Sequence, residues 1–143
     1  MLLLAESTPL HRKTKGDVTE AYVAARLLEL GYTVLRPVGD NARYDLVIER
    51  DRCFSRVQCK TARWADPDHT SLVFSACSTN WYLRDGKRGY HGEADWFGVY
   101  FPPLRAVYLV PVGDCGHTEV RLRLSPARNN QIDRVKLAEA YRI

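Results

Sequence analysis

The stretch Tyr44–Lys60, YDLVIERDRCFSRVQCK, contains two apolar runs separated by charged residues. Tyr44–Glu49 and Phe54–Lys60 each have the length and the β-branched or aromatic content of a strand. The charged residues around Asp51 suit a hairpin that joins the two runs. We therefore predict two neighbouring strands at this point of the chain, and the remaining elements are predicted outward from them.

Polar residues in these two strands are candidates for a functional site. Because side chains alternate along a strand, Arg56, Gln58 and Lys60 share one face and Val57 and Cys59 share the other. Such a polar face is either an exposed sheet surface or one wall of a site. Asp45 directly precedes the apolar run LVI and is either a turn cap or a site acid.

A helix is predicted before these strands. It begins near Thr14, where a capping-box pattern with Asp17 occurs, and ends at Gly31, a typical helix terminator. Glu20 borders its apolar stripe and either points to water or pairs with a cation or metal. The stripe is predicted from the helical spacing of Ala21, Ala24, Ala25 and Leu28.

The rest of the chain predicts more strands and a final helix. Residues 61–70 are expected to form a loop and residues 80–92 an exposed segment, and a last helix is expected from Asn130 to about Tyr141. The order of helix, strands and helix predicts an α/β or α+β domain around one mixed sheet. The further predicted strands are Tyr32–Arg36, Leu72–Ala76, Asp95–Phe101, Ala106–Val110 and Glu119–Leu124.

Composition limits the class of protein. A chain of 143 residues with 45% hydrophobic and 27% charged residues is expected to form one globular domain, residues 1–143, with residues 1–12 as a loose N-terminal arm. This composition excludes a disordered or fibrous protein. No apolar run reaches the length of a membrane span and no signal-peptide pattern is present, so we expect a cytoplasmic protein. Four scattered cysteines predict reduced thiols.

The charge balance points weakly to nucleic acid. The formal net charge is +4, and 16 of the 21 basic residues are arginine, whose planar fork suits phosphate. Residues 17–60 contain seven basic and seven acidic residues, so the surplus lies outside that block. Because coding bias also enriches arginine, composition alone gives only a slight preference for a nucleic-acid partner.

Glu20 on the predicted helix is followed by Asp45 and then by Gln58-x-Lys60. This ordered series resembles the motifs of the PD-(D/E)XK nuclease superfamily, in particular those of a small branch that includes intron-encoded homing endonucleases. The likeness begins near residue 12 and extends over nearly the whole chain. Gln58 departs from the pattern, because the superfamily usually has Asp or Glu there. The residues that carry the resemblance are Gly16-x-x-x-Glu20, Leu30-Gly31-Tyr32-x-Val34, Arg36-Pro37, Asn41–Leu46, Arg56–Lys60, Ser78–Tyr82, Tyr90-x-Gly92-Glu93-x-Asp95, Tyr108–Pro111, Arg121–Arg123 and Asn129–Gln131.

The resemblance implies a restriction-endonuclease-like α/β core, with a central mixed sheet flanked by helices, and a metal-dependent DNA endonuclease. Its catalytic residues are expected to be Glu20, Asp45, Gln58 and Lys60. Asp45, Gln58, the main-chain carbonyl of Cys59 and Glu20 are expected to hold Mg2+, with Mn2+ as an alternative. Lys60 is expected to orient or deprotonate the attacking water, and the ends produced are 5′-phosphate and 3′-hydroxyl. The neutral amide of Gln58 is expected to weaken metal binding.

Double-stranded DNA is the expected partner. Because one domain presents one site, cutting both strands requires a homodimer or homotetramer. A Holliday-junction-resolving endonuclease and a non-cleaving DNA-binding protein remain alternatives. Asp95 is either a further site acid or a structural acid at a strand end. The candidate DNA-binding residues, for which ordinary solvated or structural roles are equally open, are Lys13, Lys15, Arg43, Arg84, Lys87, Arg88, Arg128 and Asn129.

Overall fold

The first helix carries one of the predicted site acids. We describe a computed structural model over residues 9–79, 86–126 and 135–143. Helix α1 covers Arg12–Glu29 and begins two residues before the predicted start at Thr14. The His11 side chain caps it by accepting a hydrogen bond from the Lys13 amide at 3.3 Å. It ends as predicted before Gly31, whose φ of 88° lies in the left-handed region.

The buried stripe of α1 differs from the predicted one. Val23, Ala24 and Leu27 are buried, whereas Leu28 is 58% exposed. The predicted stripe followed alanine spacing, but burial of the larger Val23 and Leu27 removes more apolar surface from water. The stripe packs on Leu46, Ile48 and Val57 of the sheet, together with Tyr100 and Val107.

The strands of the described residues are Thr33–Leu35 (β1), Leu46–Arg50 (β2), Cys53–Thr61 (β3), Arg63–Trp64 (β4), Ser71–Ser75 (β5), Cys77–Thr79 (β6), Lys87–Gly89 (β7), Trp96–Phe101 (β8), Ala106–Pro111 (β9) and Glu119–Arg123 (β10). A five-stranded mixed sheet lies under α1, in the order β1-β2-β3-β8-β9. Its neighbouring strands are antiparallel except β3 and β8, which pair in parallel. Strands β10, β5 and β4 form a second sheet, and β6 pairs with β7.

The predicted strands are present with small shifts at their ends, and three other predictions need correction. The expected loop 61–70 contains β4, which is held by pairing with β5. Tyr90, expected in an exposed segment, is 4% exposed because it packs against Phe97. In place of the last helix, the described part of the C-terminal region has a 3₁₀ turn at Ala138–Tyr141. Asn130, its predicted cap, lies outside the described residues.

Helix α1 packs directly on Gly98 of β8. A Cβ atom at this glycine would lie 2.6 Å from Val23 Cγ1 and 3.0 Å from Val57 Cγ1. Both distances are shorter than ordinary van der Waals contact. The absence of a side chain at position 98 therefore sets the height of the helix above the strands.

A second core lies apart from the α1 interface. Phe97, Phe101 and Tyr108 of β8 and β9 pack against Leu72 and Leu122 of the second sheet. Alternation in β10 buries Val120 and Leu122 and leaves Arg121 exposed. In the part of the chain that the structure describes, no helix has the length and apolar character needed to cross a membrane.

Candidate active site

Asp45 lies immediately before β2, at the point where β3 extends past it. Its amide donates to the Val57 carbonyl at 2.9 Å. Its carboxylate atom Oδ2 accepts a hydrogen bond from the Cys59 amide at 2.8 Å. Its other oxygen, Oδ1, has no hydrogen-bond partner among the described residues. The side chain is thus fixed by β3 through one oxygen, and the second oxygen remains available.

A cleft of about 400 Å³ brings Asp45 and Glu20 together. Glu20 reaches it from α1, and its Oε1 accepts a hydrogen bond from Arg36 Nη1. The remaining wall is the segment between β1 and β2, contributed by Arg36, Pro37, Gly39, Asp40, Ala42 and Tyr44. Two of the acids predicted from the sequence therefore line one cleft.

Burial disfavours the charged forms of both acids. Burial is the largest cause of the raised pKa of Asp45, and it outweighs the hydrogen bond from Cys59 and the charges of Lys60 and Arg36. Burial also raises the pKa of Glu20, with Asp45 adding to the rise and Arg36 opposing it. A cation between the two carboxylates would relieve both penalties.

Gln58 and Lys60 lie on the face of β3 opposite Val57, as the alternation predicts. Gln58 Nε2 is 3.4 Å from the Cys59 carbonyl oxygen. Lys60 Nζ donates to the Cys77 carbonyl at 3.1 Å and to the Tyr90 hydroxyl at 3.3 Å. Neither residue lines the cleft. Both are linked to it by β3, whose Cys59 amide holds Asp45.

The donor set fits a hard divalent cation. Carboxylate, amide and carbonyl oxygens are ligands that Mg2+ accepts. The side-chain amide of Gln58 lies beside the Cys59 carbonyl, to which its Nε2 donates at 3.4 Å. Burial, followed by the charges of Asp45 and Glu20, raises the pKa of the Cys59 thiol well above its usual value. Its carbonyl is therefore the candidate ligand.

This site has fewer acidic side chains than one with a carboxylate at position 58. Within residues 9–79, 86–126 and 135–143, no group of three or more His, Cys, Asp or Glu side chains is placed to hold a metal. Two carboxylates with neutral oxygens make a weaker site than three carboxylates, because each lost charge lowers the attraction for the cation.

Arg43 and Arg88, two candidate DNA-binding residues, are engaged in contacts within the protein. Arg43 donates to Glu93, to Ser78 Oγ at 2.6 Å and to the Gly89 carbonyl at 2.7 Å. Its guanidinium also lies 4.2 Å from the centre of the Tyr90 ring. Arg88 pairs with the other oxygen of Glu93. These contacts brace the paired strands β6 and β7 beside Lys60.

The other candidate DNA-binding residues are spread over the surface. Lys13 is exposed on α1, seven residues before Glu20 and thus on the same helix face about 10 Å away. Lys15 lies on another face, where it lines a groove with Trp64. Lys87 is exposed on β7. Arg84, Arg128 and Asn129 lie outside the described residues.

The sequence motifs assigned no role to Arg36 or Tyr90. In the structure, Arg36 contacts Glu20 and Tyr90 contacts Lys60. Both belong to segments that carry the family resemblance, which was the available signal. Asp95 acts as a structural acid. Its carboxylate binds the Arg56 amide at 2.7 Å and the Arg56 guanidinium at 3.0 and 3.1 Å.

Known proteins share sequence features with this chain. The profile of a family described as PD-(D/E)XK endonuclease matches residues 10–143. Protein 5.3 of Escherichia phage T7 is 41% identical over 51 residues, which cover 36% of this chain and 43% of that protein. The matched stretch thus spans less than half the length of this relative.

The same core occurs in a solved structure. The bacterial homing endonuclease I-Ssp6803I superposes with a TM-score of 0.71 at 25% identity, covering 93% of this chain and 89% of that one. The restriction-endonuclease-like fold implied by the sequence is thereby confirmed. The Holliday junction resolvase Hjc of Archaeoglobus fulgidus gives a TM-score of 0.46 at 18% identity, covering 76% of this chain and 84% of that one. Similarity at that level supports no functional inference.

Proposed function

Because the chain belongs to the PD-(D/E)XK endonuclease family, we propose that it is a Mg2+-dependent endodeoxyribonuclease of homing or restriction-like type. Its substrate is double-stranded DNA, Mn2+ is an alternative metal, and it acts in the cytoplasm. The observation that carries the proposal is the cleft shared by Glu20 and Asp45, with Lys60 close enough to lower the pKa of Asp45 against the effect of burial.

Four groups are proposed to hold the metal. They are the Asp45 and Glu20 carboxylates, the Gln58 amide oxygen and the Cys59 carbonyl. The bound ion supplies charge that stabilises the transition state at the phosphate and makes a water more acidic. Asp45 is the best-fixed ligand, since the Cys59 amide already holds its Oδ2.

Lys60 is proposed to act on the attacking water. Its ammonium, held by the Cys77 carbonyl and the Tyr90 hydroxyl, orients the water and offsets negative charge that develops on the phosphate. The water oxygen bonds to phosphorus as the bond to the 3′ oxygen breaks. The attacking water releases one proton to solvent, and the leaving 3′ oxygen takes up one proton. The products carry 5′-phosphate and 3′-hydroxyl ends.

Binding to duplex DNA is proposed to use basic residues around the cleft and two or four copies of the chain. Each copy has one such site, so a homodimer or homotetramer places one site on each strand. Lys13 is the described candidate on the helix face of Glu20. The further proposed contacts are Lys15, Arg43, Lys87 and Arg88, with Arg84, Arg128 and Asn129 outside the described residues.

Nicking of supercoiled plasmid with and without Mg2+ tests the proposal. We expect metal-dependent nicking that is lost in Asp45→Asn and in Lys60→Met. Asp51→Asn is the matched control, because Asp51 is exposed in the β2–β3 turn and asparagine tolerates its φ of 53°. Nicking that persists in EDTA or in Asp45→Asn contradicts the assignment.

Gln58 supports the second candidate, a DNA-binding protein that does not cleave. The variant Gln58→Glu restores the third acid and separates the two functions. If the wild-type chain binds DNA without nicking it and Gln58→Glu gains metal-dependent nicking, the non-cleaving function is correct. A four-way junction that competes far better than linear duplex points instead to junction resolution.

A further inference from the structure

Arg36 is a cationic side chain in the candidate site that the sequence motifs left without a role. It follows directly after β1, and its side chain is 55% exposed in the cleft that also contains Glu20 and Asp45. Its Nη1 donates to Glu20. Among the described residues, its Nε and Nη2 have no hydrogen-bond partner. One edge of the guanidinium fork is therefore available to a ligand.

Arg43, the arginine nearest in sequence, is bound differently. Its Nε, Nη1 and Nη2 all donate to protein acceptors, namely Glu93, Ser78 and the Gly89 carbonyl. Binding a phosphate there would require breaking several of these bonds. Arg36 needs to give up only one exposed ion pair, and such pairs contribute little to folding because solvent screens them. Arg36 is thus the better placed of the two to bind an anion.

Arg36 lies beside the acids that are proposed to bind the metal. It donates to Glu20, and it lines the same cleft as Asp45. Arg36 offsets the charge of Glu20, one of three carboxylates in the lining of the cleft, with Asp40 and Asp45. A divalent cation that binds Glu20 must therefore compete with the guanidinium.

We propose that Arg36 exchanges partners during the reaction: it leaves Glu20 when the metal binds, and its fork then holds the phosphate that is cleaved. This inference rests on the proposed nuclease function. A guanidinium binds two oxygens of one phosphate through parallel N–H bonds, which fixes orientation as well as charge. In the resting protein, Arg36 keeps the acidic pair partly neutralised.

The test compares Arg36→Met and Arg36→Lys with Arg26→Met. Arg26 is also an arginine in an exposed ion pair, with Glu29 at 3.1 Å, and it has no place in the cleft. Mn2+ binding without DNA is measured by electron paramagnetic resonance, single-turnover cleavage of a duplex is measured in Mn2+, and circular dichroism checks folding. The metal measurement is independent of activity.

We expect Arg36→Met to bind Mn2+ several-fold more tightly, because the competitor for Glu20 is gone. Its cleavage rate should fall by roughly 10²–10³, the usual loss for one group that stabilises transition-state charge. Arg36→Lys should recover only part of the rate, since an ammonium lacks the planar fork. Arg26→Met should match the wild type within about twofold in both measurements.

Two results overturn the inference. If Arg36→Met weakens Mn2+ binding, Arg36 serves to hold Glu20 in position for the metal. If Arg36→Met cleaves within about twofold of the wild type, Arg36 does not hold the phosphate. Both outcomes leave an active wild-type enzyme, so they differ from failure of the proposed function, in which the wild-type chain shows no metal-dependent cleavage.

Discussion

Replacing Gly98 by alanine tests how the position of α1 on the sheet affects the candidate site. The new Cβ would lie 2.6 Å from Val23 Cγ1, whereas ordinary contact begins at 3.4 Å. The new Cβ would also lie 3.0 Å from Val57 Cγ1, so it cannot avoid Val23 by shifting toward β3. Val23 or the helix that carries it must therefore move by about 0.8 Å.

The expected cost follows from this overlap. Overpacking a buried interface destabilises a protein by about 1–3 kcal/mol, and Val23 is fully buried. Glu20 lies three residues before Val23 on the same helix, so a shift of α1 also moves its carboxylate relative to Asp45. A misplacement of about 1 Å can lower a catalytic rate by about 10²-fold. We therefore expect Gly98→Ala to lose both stability and cleavage.

Urea unfolding followed by circular dichroism measures the stability change, and single-turnover plasmid nicking measures the rate. Gly16→Ala is the control, because nothing lies within 4 Å of its Cβ position on the same helix. It should gain about 0.5–1 kcal/mol, since alanine is the better helix former. The double variant Gly98→Ala/Val23→Ala removes the obstructing methyl groups.

The double-mutant cycle decides whether the contact is the cause. Each single change should destabilise, and their combination should cost at least about 1 kcal/mol less than the sum, because the two residues touch. Strictly additive effects would refute the reasoning. So would an unchanged unfolding midpoint for Gly98→Ala, since the helix would then have room to spare.

Three further changes test the electrostatics and the lysine contacts. Burial raises the pKa of Asp45, so its ionised form destabilises the fold as pH rises through that raised pKa. Asp45→Asn should therefore gain about 0.5–2 kcal/mol at pH 7, and thermal melts in acid, where Asp45 is protonated in both states, should show no gain. The hydrogen bond from the Arg56 side chain lowers the pKa of Asp95. Ionised Asp95 therefore stabilises the fold above its unfolded-state pKa of about 3.9, and this stabilisation is lost as pH falls through the lowered pKa of the folded state. Asp95→Asn should cost at most about 1 kcal/mol at pH 7 because the pair is exposed and screened, and urea unfolding at acidic pH should show no difference. Tyr90→Phe keeps the ring but removes the hydroxyl that accepts from Lys60, so single-turnover cleavage should fall about tenfold and its pH profile should shift; an unchanged profile would contradict a positioning role.

Local sequence patterns predicted the elements whose signals are themselves local. The two-residue alternation of β3 and β10 set their faces, because one side of each strand must be buried. Gly31 marked the end of α1, since only a residue that tolerates positive φ fits there. Choosing the buried stripe of α1 from alanine spacing was less successful, because the sheet selects the larger Val23 and Leu27.

Contacts between distant segments were not predictable from such patterns. Tyr90 is buried because Phe97 packs against it, and its hydroxyl contacts Lys60, thirty residues earlier. Arg36 approaches Glu20 across the gap between β1 and α1. No spacing rule links either pair. The order of Glu20, Asp45, Gln58 and Lys60 was informative only as a family pattern, and their catalytic roles remain proposals.

The parallel pairing of β3 with β8 affects how the protein can be made on the ribosome. When Thr61 has been added, Glu20, Asp45 and Gln58 are already in the chain, and β1–β3 can pair without any later residue. The parallel partner β8 starts only at Trp96 and arrives a few seconds later, at about 5–20 residues per second.

Lys60 can be held in position only after later parts of the chain have been made, because it binds the Cys77 carbonyl and the Tyr90 hydroxyl. An unfinished chain thus holds the proposed metal ligands without the supports that align the lysine. We expect nascent fragments to be inactive, so that cleavage begins only after β8 has paired with β3.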